Sequence, residues 1–280
     1  MLYAVMTAEL LKFKNKNGGY CKFELFDGER TTQAVLWDVE EGEDFSYAIG
    51  NVYKFEGTFK EYRGAKQLTV TGMSEVSLTE EVLAKFTKQS RQKLGWLIQE
   101  LVRSIESVEN VGIREFCRFV FSYKSVSELF ERMPAGKSIH HNYFNGLLEH
   151  TVEAVKIAKN ICEVMMAGDM DMVVAGALLH DIGKIHAYEL KGVHYEVADV
   201  ENTQGHIVTG IVTLNRLYDE YISRNKYSRD IIDIDHLIHI IVSHHGVSEW
   251  GSMKEPQTPE AMIVHLADLA SARINYMIKE

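Results

Sequence analysis

The 280-residue chain predicts a multidomain protein in which a small all-β module is followed by an all-α domain. Three observations carry that expectation. Up to about residue 75, apolar side chains alternate with period two and stop at glycine turns. From about residue 78 the apolar spacing changes to that of helices. Composition is that of a globular chain with a substantial core, at 46% hydrophobic and 25% charged residues.

The strands come first. In "GGYCKFELFDGERTTQAVLWD", Cys21, Phe23 and Leu25 alternate with Tyr20, Lys22, Glu24 and Phe26, and a turn-rich DGE separates two runs. "NVYKFEGTFKEYRGAKQLTVTGMSEV" supplies two more runs around Arg63-Gly64, with Tyr53, Phe55 and Phe59 expected on one face. Four or five short strands with glycine turns predict a small barrel or sandwich. At Leu78 the pattern turns helical. Thr79 caps a stretch whose apolar residues run through Val82, Phe86, Leu94, Leu97 and Leu101. "GIREFCRFVFSYKSVSELFERM" reads as two short helices. Further helices are predicted over 147–166, 172–180, 206–221, 231–243 and 259–278. The expected domains are a β module at 1–77, a helical linker region at 78–135 packing on the last domain, and a helical domain at 136–280.

The net charge of −10 argues against a protein that coats nucleic acid non-specifically, because such binding needs Lys and Arg on phosphates. No apolar run reaches the roughly 18 residues of a membrane span, and "MLYAVMTAELLKFKNK" has no leader pattern. The expectation is a cytoplasmic protein without a membrane partner. Cys21, Cys117 and Cys162 match neither a disulfide framework nor a zinc pattern.

The chemistry concentrates in the second half. "GALLHDIGKIH" carries an apolar run straight into His180 and Asp181. Such groups enter interiors when paired or when they bind a metal. His150 in "GLLEHT", His206 in "GHIVTGIV", His244 and His245 before Gly246, and Asp268 in "LADLA" extend the set. Neighbouring helical residues diverge by about 100°, so ligands from several helices must converge. Imidazole and carboxylate suit Mn²⁺, Fe, Co, Ni or Zn²⁺, and the absence of thiolate speaks against a structural zinc site. Asp181 is expected to bridge two ions clamping a phosphate oxygen, and Lys184, one turn beyond His180, to hold phosphate charge. His186, His194, His236 and His239 are expected to be ordinary packed or surface histidines.

The order "LLEHT…LLHDIGK…GH…SHHG…D" resembles the HD-domain phosphohydrolase superfamily, which is all-helical and metal-dependent. "AGKSIHHNYFNGLLEHT" and "SHHGVSEWGS", with a β-rich module ahead of them, resemble the YhaM-like 3′-5′ exoribonucleases, in which an OB-fold barrel precedes an HD domain. That resemblance implies an OB-fold over 1–77 and an HD domain over 136–280. It implies metal ligands at His150, His180, Asp181, His206, His244, His245 and Asp268. Catalytic roles follow for Asp181 and Lys184, and substrate contacts for Lys184, His140 and His141 at the mouth of the site. It further implies two divalent ions, Mn²⁺ favoured with Fe, Co, Ni, Mg or Zn as alternatives. The substrate would be a single-stranded nucleic acid, and the chain would assemble as a homo-oligomer.

On the barrel, Tyr20, Lys22, Trp37, Tyr62 and Arg63 are candidates for stacking on bases and pairing with phosphates. Against this, residues 1–80 hold 9 Lys and Arg and 13 Asp and Glu. The leading expectation is a 3′-5′ exonuclease on single-stranded RNA, or DNA, releasing nucleoside 5′-monophosphates. Two alternatives stand beside it: hydrolysis of small or cyclic nucleotides at the same site, and a non-catalytic nucleic-acid-binding scaffold.

Overall fold

A computed structural model describes residues 1–15, 17–40, 42–62, 64–87, 90, 92–136 and 141–278, with the side chains of Tyr47 and Glu80 left aside. The chain divides into two compact units, one of residues 1–88 with 190–196, the other of 89–189 with 197–280.

In the first unit, β1 (Leu2–Lys12), β2 (Gly19–Phe26), β3 (Thr31–Val39), β4 (Val52–Tyr62) and β5 (Ala65–Glu75) close a barrel in the order β1-β2-β3-β5-β4. Neighbours are antiparallel except β3 and β5, which run parallel. This is the five-stranded OB-fold architecture. Alternation on β2 sends Cys21, Phe23 and Leu25 inward, where they meet Tyr3, Phe55, Leu68 and Val70.

Tyr53 and Phe55 face this core, whereas Phe59 is 44% exposed. The three still share one face of β4: the register shift between Glu56 and Gly57 puts its extra residue, Thr71, on β5, and Phe59 stays opposite the buried Leu68. Phe59 is exposed because it lies on the turn end of β4, which is uncovered from Thr58 onward.

The helix α1 (Glu80–Phe86), capped by Thr79, puts Leu83 and Phe86 against Ala4 and Val52. The stretch from 78 was expected to pack with the later helices. Its first helix belongs to the barrel unit instead, because its two large apolar side chains complete a satellite core there.

A hairpin that periodicity did not reveal, β6 (Tyr188–Lys191) with β7 (His194–Val197), contributes Val193 to the same cluster. Val193 N–H donates to the Gly50 carbonyl at 2.7 Å. At its turn only glycine fits: Gly192 has φ +62°, and a Cβ there would sit 1.8 Å from the Gly50 oxygen. Strands of four residues are too short to show alternation.

The second unit is helical. It comprises α2 (Leu94–Glu106), α3 (Val111–Ser122), α4 (Lys124–Arg132), α5 (Gly146–Met165), α6 (Met170–Leu179), α7 (Asp199–Thr203), α8 (Gly205–Asn225), α9 (Ile234–Ser243) and α10 (Pro259–Met277). Side-chain caps set several starts: Asn110, Asp169, Asp233 and Thr258 each accept a backbone N–H of the first turn. Helix α6, "MDMVVAGALL", has no polar face beyond its first turn, and every residue from Met172 to Leu179 is buried. Such a helix belongs at the centre, and α5, α9 and α10 surround it.

Among the described residues, no helix is long and apolar enough to cross a membrane. All three cysteines are buried and free, and burial pushes the Cys117 thiol up to about 12.

Candidate metal centre

The buried helix α6 ends at its C-cap, His180, with Asp181 next in the chain. A short 3₁₀ turn, Ile182–His186, then redirects the backbone against α8. Gly183 permits the approach: a Cβ would stand 1.9 Å from the His206 carbonyl oxygen and 2.5 Å from Gly210 N. The glycine of "HDIGK" therefore holds His206, in the first turn of α8, beside Asp181. His244 is the C-cap of α9, and Gly246, at φ +82°, turns the chain away after His245. His150 projects from α5 and Asp268 from α10.

These seven predicted side chains converge. His150 Nε2 lies 3.2 Å from His180 Nε2, 3.4 Å from Asp181 Oδ2 and 3.1 Å from Asp268 Oδ1. His180 Nε2 is 3.3 Å from the same Asp181 oxygen. The other oxygen, Oδ1, faces His206 Nε2 at 3.7 Å and His244 Nε2 at 3.6 Å, and His206 Nε2 lies 3.3 Å from His245 Nε2. One carboxylate thus stands between two donor groups, His150–His180–Asp181 and His206–His244–His245, each close enough to share one ion.

The hydrogen bonds on the far side of the rings decide what these nitrogens can do. His180 Nδ1 donates to the Ala177 carbonyl at 2.9 Å, and His244 Nδ1 to the Ile241 carbonyl at 2.6 Å. His206 Nδ1 donates to Glu201 Oε1 at 3.0 Å. Ser271 gives its own proton to Glu153 at 2.7 Å and so accepts from His150 Nδ1 at 2.9 Å. Each Nε2 is thereby left with its lone pair aimed at the centre.

Bare lone pairs 3.2 Å apart repel unless a cation or a proton lies between them. Neither Asp181 Oδ1 nor His244 Nε2, both buried, finds a hydrogen bond of good geometry. Orphaned acceptors around a shared carboxylate are what a pair of divalent ions requires, so the residues fit that cofactor. The C-terminal ends of α6 and α9 also point here, and their partial negative charge favours cations.

Electrostatics without metal agree. Burial alone would lower the His150 pKa, but hydrogen bonds to Asp181 and Asp268 outweigh it and carry it up to about 9. Burial opposes ionisation of Asp181 as well; Lys184 and His180 nonetheless hold it well below the usual carboxylate range. Against its own burial, Asp268 is likewise held low, chiefly by His150. Burial pushes His244 down, and burial with the neighbouring His244 and His206 takes His245 to about 3. His244 and His245 are therefore neutral imidazoles, and beside His150 a proton stands where a cation would bind.

Lys184 is buried, with Nζ 2.7 Å from Asp181 Oδ2. Its pKa is raised despite burial, chiefly by Asp181. It lines a cavity of about 160 Å³ together with His245, Asp268, His265, Trp250 and Arg273. His141 was expected to line the substrate mouth. It is fully buried instead, its ring 5.3 Å from that of His150 and its Nε2 3.1 Å from Glu153. It backs the ligand rather than facing a substrate, because its peptide N–H is tied to Asn275 Oδ1 at 3.0 Å. His140 lies outside the described residues.

The remaining histidines lie elsewhere. For example, His236 is 3.3 Å from Glu260, and His239 accepts from Gln257 N–H at 3.0 Å. Sequence reasoning missed Trp250, Arg273, Ser271 and Glu153. Trp250 and Arg273 sit five residues beyond His245 and Asp268, a signal that spacing alone left unread.

The barrel unit carries a separate candidate surface. Phe13, Tyr20 and Trp37 form one aromatic cluster, with ring centroids 5.0 to 6.2 Å apart. Lys22 Nζ stands 5.9 Å over Tyr20, and Trp37 is 46% exposed. Tyr62, 58% exposed, sits at the turn end of the β4–β5 hairpin. Arg63 lies outside the described residues, as does Lys16.

Comparison with known proteins matches the HD domain model to residues 147–273, the span that holds every donor above. The 3′-5′ exoribonuclease YhaM of Listeria monocytogenes is 30% identical over 257 residues, covering 91% of this chain and 79% of the relative. YhaM of Bacillus subtilis is 31% identical over 255 residues, 90% of this chain and 78% of its own length. That of Bacillus licheniformis is 28% identical over 278 residues, 99% and 85%. No solved structure matches. With an HD domain behind a five-stranded barrel, and with identity running through both, the chain belongs to the HD-domain hydrolase family whose curated members are named 3′-5′ exoribonuclease YhaM.

Proposed function

We propose that the protein is a metal-dependent 3′-5′ exonuclease of single-stranded RNA that releases nucleoside 5′-monophosphates. The observation that carries this is Asp181, whose two oxygens face separate sets of imidazoles. His150, His180, Asp181 and Asp268 would hold one ion, and His206, His244, His245 and Asp181 the other, with Mn²⁺ favoured for an all-imidazole and carboxylate set. When bound, such ions activate water and neutralise charge on a phosphodiester.

The chain's own residues do the rest. Ser271, Glu201 and the carbonyls of Ala177 and Ile241 fix the ring tautomers. Lys184, on the cavity wall, offsets charge developing on the phosphate oxygens. In the barrel, Phe13, Tyr20 and Trp37 with Lys22 offer a stacking face for a strand despite the unit's net acidity. We assign residues 1–77 to strand binding and 136–280 to hydrolysis. We place the activity in the cytoplasm, where free cysteines stay reduced.

The test is end-labelled single-stranded RNA incubated with protein and Mn²⁺. Wild type should shorten 5′-labelled RNA stepwise and release 5′-mononucleotides, and Asp181→Ala should lose at least about a thousandfold in rate. Retained hydrolysis by Asp181→Ala would refute the metal assignment. Products ending in 3′-phosphates would refute the reaction.

A further inference from the structure

The rim of the cavity at the metal centre carries an aromatic–cation pair that the ligand set does not use. Trp250 ends the short 3₁₀ turn that follows His244 and His245 and is 51% exposed. Arg273, on α10 beyond Asp268, sets its guanidinium carbon 5.9 Å from the centre of the indole. Both line the same cavity as His245, Asp268 and Lys184.

The indole is tied to the ligand turn. His265, whose ring centroid is 6.3 Å from that of Trp250, donates from Nδ1 to the His244 carbonyl at 2.7 Å. The peptide N–H of Trp250 donates to the Val247 carbonyl at 3.1 Å, and Ser252 Oγ to the Val242 carbonyl at 3.1 Å. A single exposed aromatic needs no explanation by itself. A flat π face with a guanidinium beside it, at the edge of a site built for phosphate chemistry, matches the two parts of a nucleotide.

Resting on the exonuclease reading, we infer that Trp250 and Arg273 form the subsite for the terminal nucleotide, with its base stacked on the indole and its phosphate charge met by Arg273. The cavity, about 160 Å³, is smaller than the roughly 300–1,000 Å³ that encloses a drug-sized ligand. The base therefore lies on the rim and is recognised by its π face alone. Stacking of this kind tolerates all four bases but requires that a base be present.

The experiment compares RNA oligonucleotides of equal length that end at the 3′ side in an ordinary nucleotide or in an abasic ribose. Full-length protein with Mn²⁺ serves throughout. Wild type should lose about 5- to 150-fold in kcat/KM on the abasic end. Trp250→Ala should lose a similar factor on ordinary RNA and no longer distinguish the two substrates, while Trp250→Phe keeps the distinction. Arg273→Ala should raise KM for both ends alike. Wild type blind to the terminal base, or Trp250→Ala that still discriminates, would overturn the inference and leave the exonuclease reading intact. If wild type hydrolyses no RNA at all, the exonuclease reading falls and this subsite falls with it.

Discussion

Replacing Ser271 with alanine removes one hydroxyl that touches no ion and should still weaken metal binding. Ser271 is 2% exposed and His150 fully buried. The hydroxyl accepts from His150 Nδ1 at 2.9 Å and passes its own proton to Glu153 at 2.7 Å. In Ser271→Ala the Nδ1–H loses its acceptor, which costs about 1–3 kcal/mol for a buried donor. The ring can avoid that cost by releasing its Nδ1 proton and keeping the one on Nε2, which Asp268 Oδ1 holds at 3.1 Å. That tautomer satisfies the metal-free protein and removes the lone pair an ion needs.

The loss should therefore appear in metal affinity rather than in folding, at about 10- to 100-fold, or about 1.4–2.7 kcal/mol. Calorimetric titration of Mn²⁺ into metal-free protein measures it directly, with thermal unfolding of the same samples as the control. Glu153→Gln keeps a carbonyl acceptor for the Ser271 hydroxyl and should lose less. Affinity of Ser271→Ala within twofold of wild type would show that the Nδ1 partner does not orient His150, and the tautomer argument would fail.

Other perturbations address other parts of the site. Gly183→Ala places a methyl 1.9 Å from the His206 carbonyl, so α8 must move; the expected result is a lower melting temperature and loss of the second ion in metal analysis. His206→Ala removes an imidazole whose Nε2 is 3.3 Å from His245 Nε2 while sparing His150 and His180, and bound Mn²⁺ should fall from two per chain toward one. Metal at about 100 times its dissociation constant should stabilise the fold by about 2.7 kcal/mol, so a melting temperature that does not change on chelation would contradict a buried ion pair. Tyr20→Ala with Trp37→Ala strips the barrel cluster and should weaken single-stranded RNA binding in a filter assay by about 5-fold or more, with metal content unchanged.

The donor set was legible because of where its members stand in the chain. His180–Asp181 and His244–His245 each end an apolar helix, and polar groups placed at the end of a buried run have few uses besides one another or a metal. His150 and Asp268 were legible through their order with these. Two later features were not. His141 shares a motif with His140, yet it turns inward on a backbone at φ +42° held by Asn275, 134 residues away. Trp250 and Arg273 meet across two elements, and nothing local distinguishes them from ordinary surface residues.

Local residue patterns thus determined the β-then-α order, the apolar run of α6 and the helix ends at which the candidate donors His180, Asp181, His244 and His245 stand, because period, capping and apolar runs act over a few neighbours. Only the tertiary structure decided that α1 and Val193 complete the barrel's satellite core, that the turn end of β4, with Phe59, is left exposed, and that the two oxygens of Asp181 face different imidazoles. Those outcomes depend on close approach between segments far apart in the chain, such as Gly183 against His206 and Gly192 against Gly50, which no periodicity encodes.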